Sequence, residues 1–340
     1  MNNGNKVAFA GLRHPHIFNL YSSALKREDI EVVAVCEEDK DQRVSITAER
    51  KIEITHDNID IMLAEVDCNI VAVGDYYGKR GEIIIKALSA GKHVISDKPI
   101  CTSLEELDTI ELLCKEKELK VGCMLDLRDL PRFIGVRDIV RDGTIGPVHA
   151  ISFGGQHPLL LGTRPGWYFE PGKHGGTIND IAIHAFDLIP WITGLKFHSV
   201  NAARCWNAFA PDYPHFKDAA QLMATLENGC GVLGDVSYFM PDSQGYSLPH
   251  YWRMTFWGRK GMIETSCLSQ DISLALDGDN APKKIPLPDA NQDGYFQSFI
   301  NDITGTSDTG DLTTESVLNV SRISLTTQKA GDNNLRDVIL

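Results

Sequence analysis

From residue 6 to residue 123, short apolar runs recur at regular intervals, each followed by a stretch with helical spacing. The runs are KVAFAGL, EVVAVC, CNIVAVG, HVIS and KVGCML. They are almost continuously apolar rather than alternating, the pattern of strands buried on both faces. Between them lie helical segments: Pro15 to about Arg27, DQRVSITAER, RGEIIIKALSAG closed by Gly91, and SLEELDTIELLCKEKE with Ser103 as its N-cap. Five buried strands separated by helices predict a doubly wound parallel sheet of the Rossmann type. In such sheets ligands bind at the carboxyl ends of the strands.

After Leu125 the rhythm changes. A helix over PRFIGVRDIVRDG is followed by longer strand-like runs: HAISFGGQ, SVNAARCWNAF, AAQLMATLENGCGVLGDVSYF, YWRMTFWGRKGMIETS and ISLALDG. The turn ENGCG joins two alternating runs as a hairpin would. One helix interrupts at residues 177–193, and the tail from about Asn291 reads as helical. The pattern predicts a dinucleotide-binding domain over 1–124 and an α+β domain over 125–340. The second domain would carry a mostly antiparallel sheet with helices on one side. No internal repeat or low-complexity segment interrupts this plan.

Composition narrows the picture. A length of 340 residues fits about two domains, and 43% hydrophobic with 23% charged residues fits a soluble globular chain. The net charge of -13 argues against nucleic acid or an anionic membrane as partner, because both need clustered positive charge. The N-terminal stretch lacks a secretory apolar segment, and no apolar run approaches the ~18 residues of a membrane span. Eight cysteines include no C-x-x-C pair, so they read as buried thiols in a reducing cytoplasm rather than as a zinc ribbon.

The candidate chemistry begins in the first turn, GLRHPHIF. Gly11 suits a tight turn, but Arg13 and His16 stand where the second and third glycines of G-x-G-x-x-G belong. A helix N-terminus still offers unpaired N–H groups to a phosphate, Pro15 suits the first helical position, and Arg13 can add charge for a pyrophosphate. His14-x-His16 raises a metal centre as a rival. That rival fits a barrel of eight strand–helix units, and the rhythm stops near residue 124, so no metal is expected. Glu37 ends the second strand, about twenty residues past the turn, where an acid hydrogen-bonds the ribose hydroxyls and repels a 2′-phosphate. The competing reading is a solvated loop charge shared with Glu38. Lys98 precedes Pro99 at the end of the fourth strand and is aimed into the crevice, unless it is an ordinary surface lysine. Asp180, His184 and Asp187 stand at i, i+4 and i+7, along one helix face. The bland alternative is Thr177 as N-cap, Asp180 completing a capping box, and His184 as a satisfied helix histidine.

The segments AGKHVISDKP, DGTIGPVHA (142–150) and GGTINDIAIHAFDLIPWITG (175–194) together resemble the glucose–fructose oxidoreductase / inositol dehydrogenase family, Gfo/Idh/MocA. The resemblance covers nearly the whole chain. It implies a first domain that binds NAD or NADP and an open-faced second sheet that carries the substrate. It also implies Lys98, Asp180 and His184 as the catalytic set. The cofactor pocket would then comprise Gly11, Arg13, His14, Pro15, His16, Glu37, Gly74, Asp75, Tyr76, Asp97 and Lys98, with NAD preferred over NADP. The chain departs from the family in three places. The glycine fingerprint shrinks to Gly11, Asp75-Tyr76-Tyr77 replaces Thr-Pro-Asn, and Arg80 replaces the following histidine.

The chemistry of alcohol oxidation distributes the roles. His184 has the intrinsic pKa for a base at neutral pH, Asp180 orients substrate or tunes His184, and Lys98 positions substrate and cofactor. The three are expected to meet in a crevice between the domains. Substrate contacts for a sugar or polyol are expected from Arg128, Gln156, His157, Arg164, Trp167, Lys173 and His174. Three functions remain open: an NAD-dependent dehydrogenase acting on CH–OH groups, an NAD-retaining lyase or glycosidase that uses transient oxidation, and a non-catalytic NAD-binding regulator. The uncovered sheet face predicts a homodimer or homotetramer.

Overall fold

Five parallel strands carry the first part of the chain in the computed structural model, which describes residues 4–291 and 294–340. They are β1 (Asn5–Ala10), β2 (Ile30–Cys36), β3 (Ile70–Val73), β4 (His93–Ser96) and β5 (Val121–Cys123), in the order β2-β1-β3-β4-β5. The chain starts in the interior of the sheet and winds out both ways, so the order reverses beside β1, where doubly wound sheets bind ligands. Every residue of β3 is buried, as its unbroken apolar run requires. The connecting helices are α1 (Ile17–Lys26), α2 (Lys40–Arg50), α3 (Ile59–Glu65), α4 (Tyr77–Ser89) and α5 (Leu104–Lys117). Ser103 caps α5 as expected, its Oγ accepting from the Glu106 N–H at 3.1 Å. The helix α3 was not anticipated: its seven residues bury only Ile59 and Met62, too few for a periodic signal.

The second unit contains α6 (Pro131–Arg141), β6 (Val148–Pro158), α7 (Ile183–Thr193), β7 (Phe197–Trp206), β8 (Ala219–Leu226), β9 (Gly231–Met240), β10 (Arg253–Gly258), β11 (Gly261–Thr265), β12 (Asp271–Leu276) and β13 (Lys283–Pro286). The expected hairpin joins β8 to β9, closed by the Leu226 N–H donating to the Cys230 carbonyl at 2.9 Å. The pair β6–β9 is parallel, and the other pairs in this sheet are antiparallel. Burial alternates along β8 and β9, leaving Met223 and Leu233 exposed on the open face.

The tail holds α8 (Gly294–Thr304), α9 (Thr314–Asn333) and β14 (Arg336–Ile339). It differs from expectation twice. It ends in a strand, which pairs with β7 and completes the order β13-β12-β11-β10-β6-β9-β8-β7-β14. Residues 295–321 also group with the chain up to Met124 rather than with the second unit, which comprises 125–294 and 322–340. The expected assignment of 125–340 to one domain is therefore corrected over 295–321. The reason is packing: Phe296, Phe299 and Ile300 share a buried cluster with Val7, Phe9, Leu12, Ile17, Ile70 and Ile95. The Val121 N–H also donates to Thr314 Oγ1 at 3.0 Å. Sequence rhythm shows that a segment is helical but not which sheet its apolar face covers.

All eight cysteines are free thiols, and seven of them are buried. Among the described residues no helix is long and apolar enough to cross a membrane. The fold makes one energetic prediction. Phe299→Ala should destabilise the first unit by about 3–5 kcal/mol, the usual cost of emptying a buried phenylalanine site. Chemical denaturation followed by fluorescence checks this, and a loss below about 1 kcal/mol would remove α8 from the first core.

Candidate active site

The turn after β1 shows how the shortened glycine fingerprint still works. Gly11 has φ +72°, and a Cβ there would lie 2.6 Å from the Asp75 Cβ, so both backbone and space require glycine. The close approach of helix to strand, normally permitted by the third glycine of the fingerprint, is supplied from β3 instead. A Cβ on Gly74 would stand 2.3 Å from the Ile17 Cβ. Gly74 therefore acts first as a packing position for α1. Pro15 is not the first residue of α1, which starts at Ile17; it opens a preceding turn in which its carbonyl accepts from the Phe18 N–H at 3.2 Å.

The charges in this turn are engaged with one another. Glu37 is fully buried, which removes the solvated-loop reading. Its Oε2 accepts from the Leu12 N–H at 2.7 Å, and its Oε1 accepts from the Asp39 N–H at 2.9 Å and from Arg13 Nε at 3.4 Å. The expected ribose ligand thus braces the turn. Arg13 Nε lies 3.2 Å from Asp75 Oδ1, and its guanidinium stacks 4.9 Å over the Tyr76 ring. Two carboxylates, Glu37 and Asp75, thus hold the Arg13 side chain. Burial pushes the Asp75 carboxyl up to about 6, outweighing the opposite pull of Arg13.

Arg80, completely buried on α4, fixes the segment around Lys98. Its Nε donates to the Asp75 carbonyl at 2.8 Å, and its Nη2 donates to Asp97 Oδ2 at 3.1 Å. Its Nη1 donates to the carbonyls of Lys98 and Pro99. Asp97 Oδ1 accepts from the Lys98 N–H at 2.8 Å. Lys98 is itself buried, so it is no ordinary surface lysine. Burial alone would raise the Asp97 carboxyl, but His14 and Arg80 hold it well below the usual carboxylate range. Burial takes His14 down to about 4, so a neutral imidazole faces an ionised Asp97. The network then places the His14 Nδ1 proton toward Asp97 Oδ2 and lets Nε2 accept from the Tyr77 hydroxyl at 3.3 Å.

In the second unit, Asp180 and His184 are both buried, but they do not share a regular α-helix. Residues 178–182 form a π-helical turn that leads into α7, a distortion frequent at functional sites. The capping-box alternative is overturned. Thr177 Oγ1 donates to the Lys217 carbonyl, and the Ile178 and Asn179 N–H groups donate to Gln328 Oε1 at 2.9 and 3.3 Å. Asp180 Oδ2 accepts from the Tyr238 hydroxyl, and His174 Nε2 lies 2.9 Å from that same hydroxyl. Burial keeps the Tyr238 phenol protonated by pushing its pKa well above the ordinary value.

Aromatic rings gather around this network. His157 lies among Tyr238, Tyr246, Tyr251 and Trp252, and the His184 ring stands edge-on to Trp252 at 5.2 Å. Trp167 stacks on Tyr168, and Arg164 lies over both Tyr168 and Tyr238. Three expected substrate contacts are engaged elsewhere. Arg128 makes a two-pronged ion pair with the buried Asp187, Lys173 pairs with Glu170, and Gln156 donates to Asp235. Asp187 therefore serves Arg128 rather than extending the catalytic face. Sequence reasoning missed Tyr238, Tyr251 and Trp252. Tyr238 gave one weak signal, as an inward position in the alternating run of β9.

The first unit thus has the α/β plan of a nucleotide-binding fold, and the second joins an open sheet to a buried acid–tyrosine–histidine network. Comparison with known proteins agrees: residues 6–124 match the oxidoreductase family with an NAD-binding Rossmann fold, and residues 133–264 match the GFO/IDH/MocA C-terminal domain. The chain belongs to the Gfo/Idh/MocA oxidoreductase family. It is 27% identical over 180 residues to levoglucosan dehydrogenase of Pseudarthrobacter phenanthrenivorans, covering 52% of this chain and 45% of that one. It is 22% identical to inositol 2-dehydrogenase of Rhizobium meliloti, covering 72% and 71%. The chain spans about half the length of most curated relatives it matches. Its fold resembles that of aldose-aldose oxidoreductase from Caulobacter crescentus, with TM-score 0.79, 20% identity, and 99% and 100% of the chains covered.

Asp75 generates a pH prediction. Its folded pKa of about 6 lies above the unfolded value near 3.9, so its contribution to stability is full below that value and lost as pH rises through about 6. Asp75→Asn removes this titration. Relative to the variant, the wild type should lose on the order of 2 kcal/mol between about pH 4 and pH 7. Urea denaturation of both proteins across that range measures it, and parallel curves would contradict the assignment.

Proposed function

We propose that the protein is an NAD-dependent oxidoreductase that transfers a hydride between NAD and a secondary alcohol of a sugar or polyol. The observation that carries this reading is the buried Asp180–Tyr238–His174 network on the turn leading into His184, in a chain of an NAD-binding oxidoreductase family. The residues fit the cofactor, because Gly11 allows the tight turn and Gly74 the close approach of α1 to the strand ends, the two roles glycines play in a dinucleotide-binding turn. Residues 11–16, Gly74, Asp75, Tyr76, Asp97 and Lys98 would hold it. When bound, the nicotinamide supplies the hydride acceptor. The buried negative charge of Glu37, with Asp39 capping α2, supports NAD over NADP by opposing a 2′-phosphate.

His184 takes the hydroxyl proton as general base and returns it in the reverse direction. Asp180, fixed by Tyr238, orients substrate or tunes His184. Lys98, its backbone held by Arg80 and Asp97, aligns the reacting oxygen. The rings of Trp167 and Tyr251 offer apolar faces to a sugar's C–H surface, while the fully buried Trp252 packs edge-on against His184. His157 and His174 supply polar contacts, and Arg164 shapes the pocket through its tyrosines. The eight free thiols support a cytoplasmic setting.

A panel of sugars and polyols with NAD, followed by NADH absorbance, tests the reading. Free NADH should accumulate with at least one substrate; turnover without NADH release would favour the lyase class instead. His184→Ala should lower kcat by ~10²–10⁴-fold with NAD binding nearly unchanged, and Lys98→Ala should impair both. If the two act as a unit, the double variant should lose little beyond the worse single variant. Fully multiplicative losses would separate them, and tighter binding of NADP would overturn the cofactor preference.

We also propose a homodimer or homotetramer that covers the open sheet face carrying Met223 and Leu233. Light scattering should give a mass of two or four chains, shifting toward the monomer in Leu233→Asp. A monomeric wild type at micromolar concentration would refute it.

A further inference from the structure

His14 and His16 flank Pro15 in the turn after β1, and the carboxylate of Asp97 reaches them from the end of β4. We propose that these three residues form a binding site for a divalent metal ion of the zinc or cobalt class. One ligand atom from each side chain lies within 4.8 Å of the others. The two imidazole rings stand edge-to-face, with centroids 4.5 Å apart at 83°, so both direct nitrogen toward the same carboxylate. Sequence spacing supplied only the His-x-His pair. The third ligand comes from a strand far along the chain.

The donor set selects the ion. Two imidazoles and one carboxylate suit Zn²⁺, Co²⁺, Ni²⁺ or Fe²⁺, whereas Mg²⁺ and Ca²⁺ prefer all-oxygen sites. Three protein ligands leave one or more positions for water or an anionic group. Outer partners are in place as well. The Tyr77 hydroxyl meets His14 Nε2, and Asp97 is held by Arg80 Nη2 and the Lys98 N–H. When Nδ1 takes the metal, the single ring proton of His14 moves to Nε2 and donates to the Tyr77 oxygen, so the imidazole stays neutral. His14 and Asp97 are buried, while the His16 side chain is 42% exposed and offers the ion a way in. The Arg80 charge beside Asp97 weakens the site and points to micromolar rather than nanomolar affinity.

These residues also belong to the turn proposed to hold the cofactor, so the inference is tested without NAD and stands apart from the catalytic reading. Untagged full-length protein, stripped with a chelator, is titrated with Zn²⁺ by calorimetry and with Co²⁺ by visible absorption. One equivalent should bind, with Co²⁺ bands that Zn²⁺ displaces and excess Mg²⁺ does not. His16→Ala, half-exposed and tolerant of truncation, should weaken binding at least ~10-fold, and Tyr77→Phe should weaken it by ~10-fold as an outer partner. No uptake by the wild type would overturn the site. So would binding that survives unchanged in both His16→Ala and Asp97→Asn.

Discussion

A single buried guanidinium ties together the ends of β3 and β4. Arg80 donates to the Asp75 carbonyl at one strand end and to Asp97, Lys98 and Pro99 at the other. A charge this deeply buried persists only when its partners are complete, and breaking such a pair costs ~3–5 kcal/mol. The cost keeps the two strand ends in one arrangement. Everything attached to them inherits that rigidity: Asp75 holds Arg13, Asp97 holds His14, and the backbone of Lys98 cannot drift. The departures from the family motif are therefore coupled. An arginine in place of a histidine and an aspartate at 75 make one consistent network with Asp97.

The second unit uses a different device for the same end. A π-helical turn places Asp180 where a tyrosine on β9 and His174 both reach it. A regular helix would rotate Asp180 relative to His184 along the α7 face. The extra residue in the turn re-aims the carboxylate, and Gln328 takes the N–H groups that this irregular start leaves without helical partners. Secondary structure is distorted locally, and hydrogen bonding from distant segments compensates.

Much of this architecture was legible in the sequence because burial on both faces writes strands as unbroken apolar runs. All five strands of the first sheet, the Ser103 cap and the β8–β9 hairpin follow from such local signals. What failed was non-local. Gly74 replaces a fingerprint glycine from another strand, Arg128 is paired with Asp187 across 59 positions, and Tyr238 meets Asp180 across 58. The face covered by Phe296 and Phe299 was likewise invisible, since amphipathicity marks an apolar stripe without naming its partner. The family motif named Lys98, Asp180 and His184 as candidates, but the hydrogen-bonding partners around them were not legible.

The return of α8 to the first sheet gives the chain a particular order of maturation. On the ribosome, residues up to Met124 emerge first, yet the phenylalanines that close their core come only after the whole second sheet except its last strand. The first sheet to be made is thus sealed only after most of the second. Until then its apolar face is open, a state that invites holding by chaperones or premature association. The two units are interleaved along the chain, each closed by a segment made after most of the other, so neither can be finished before the other is largely built.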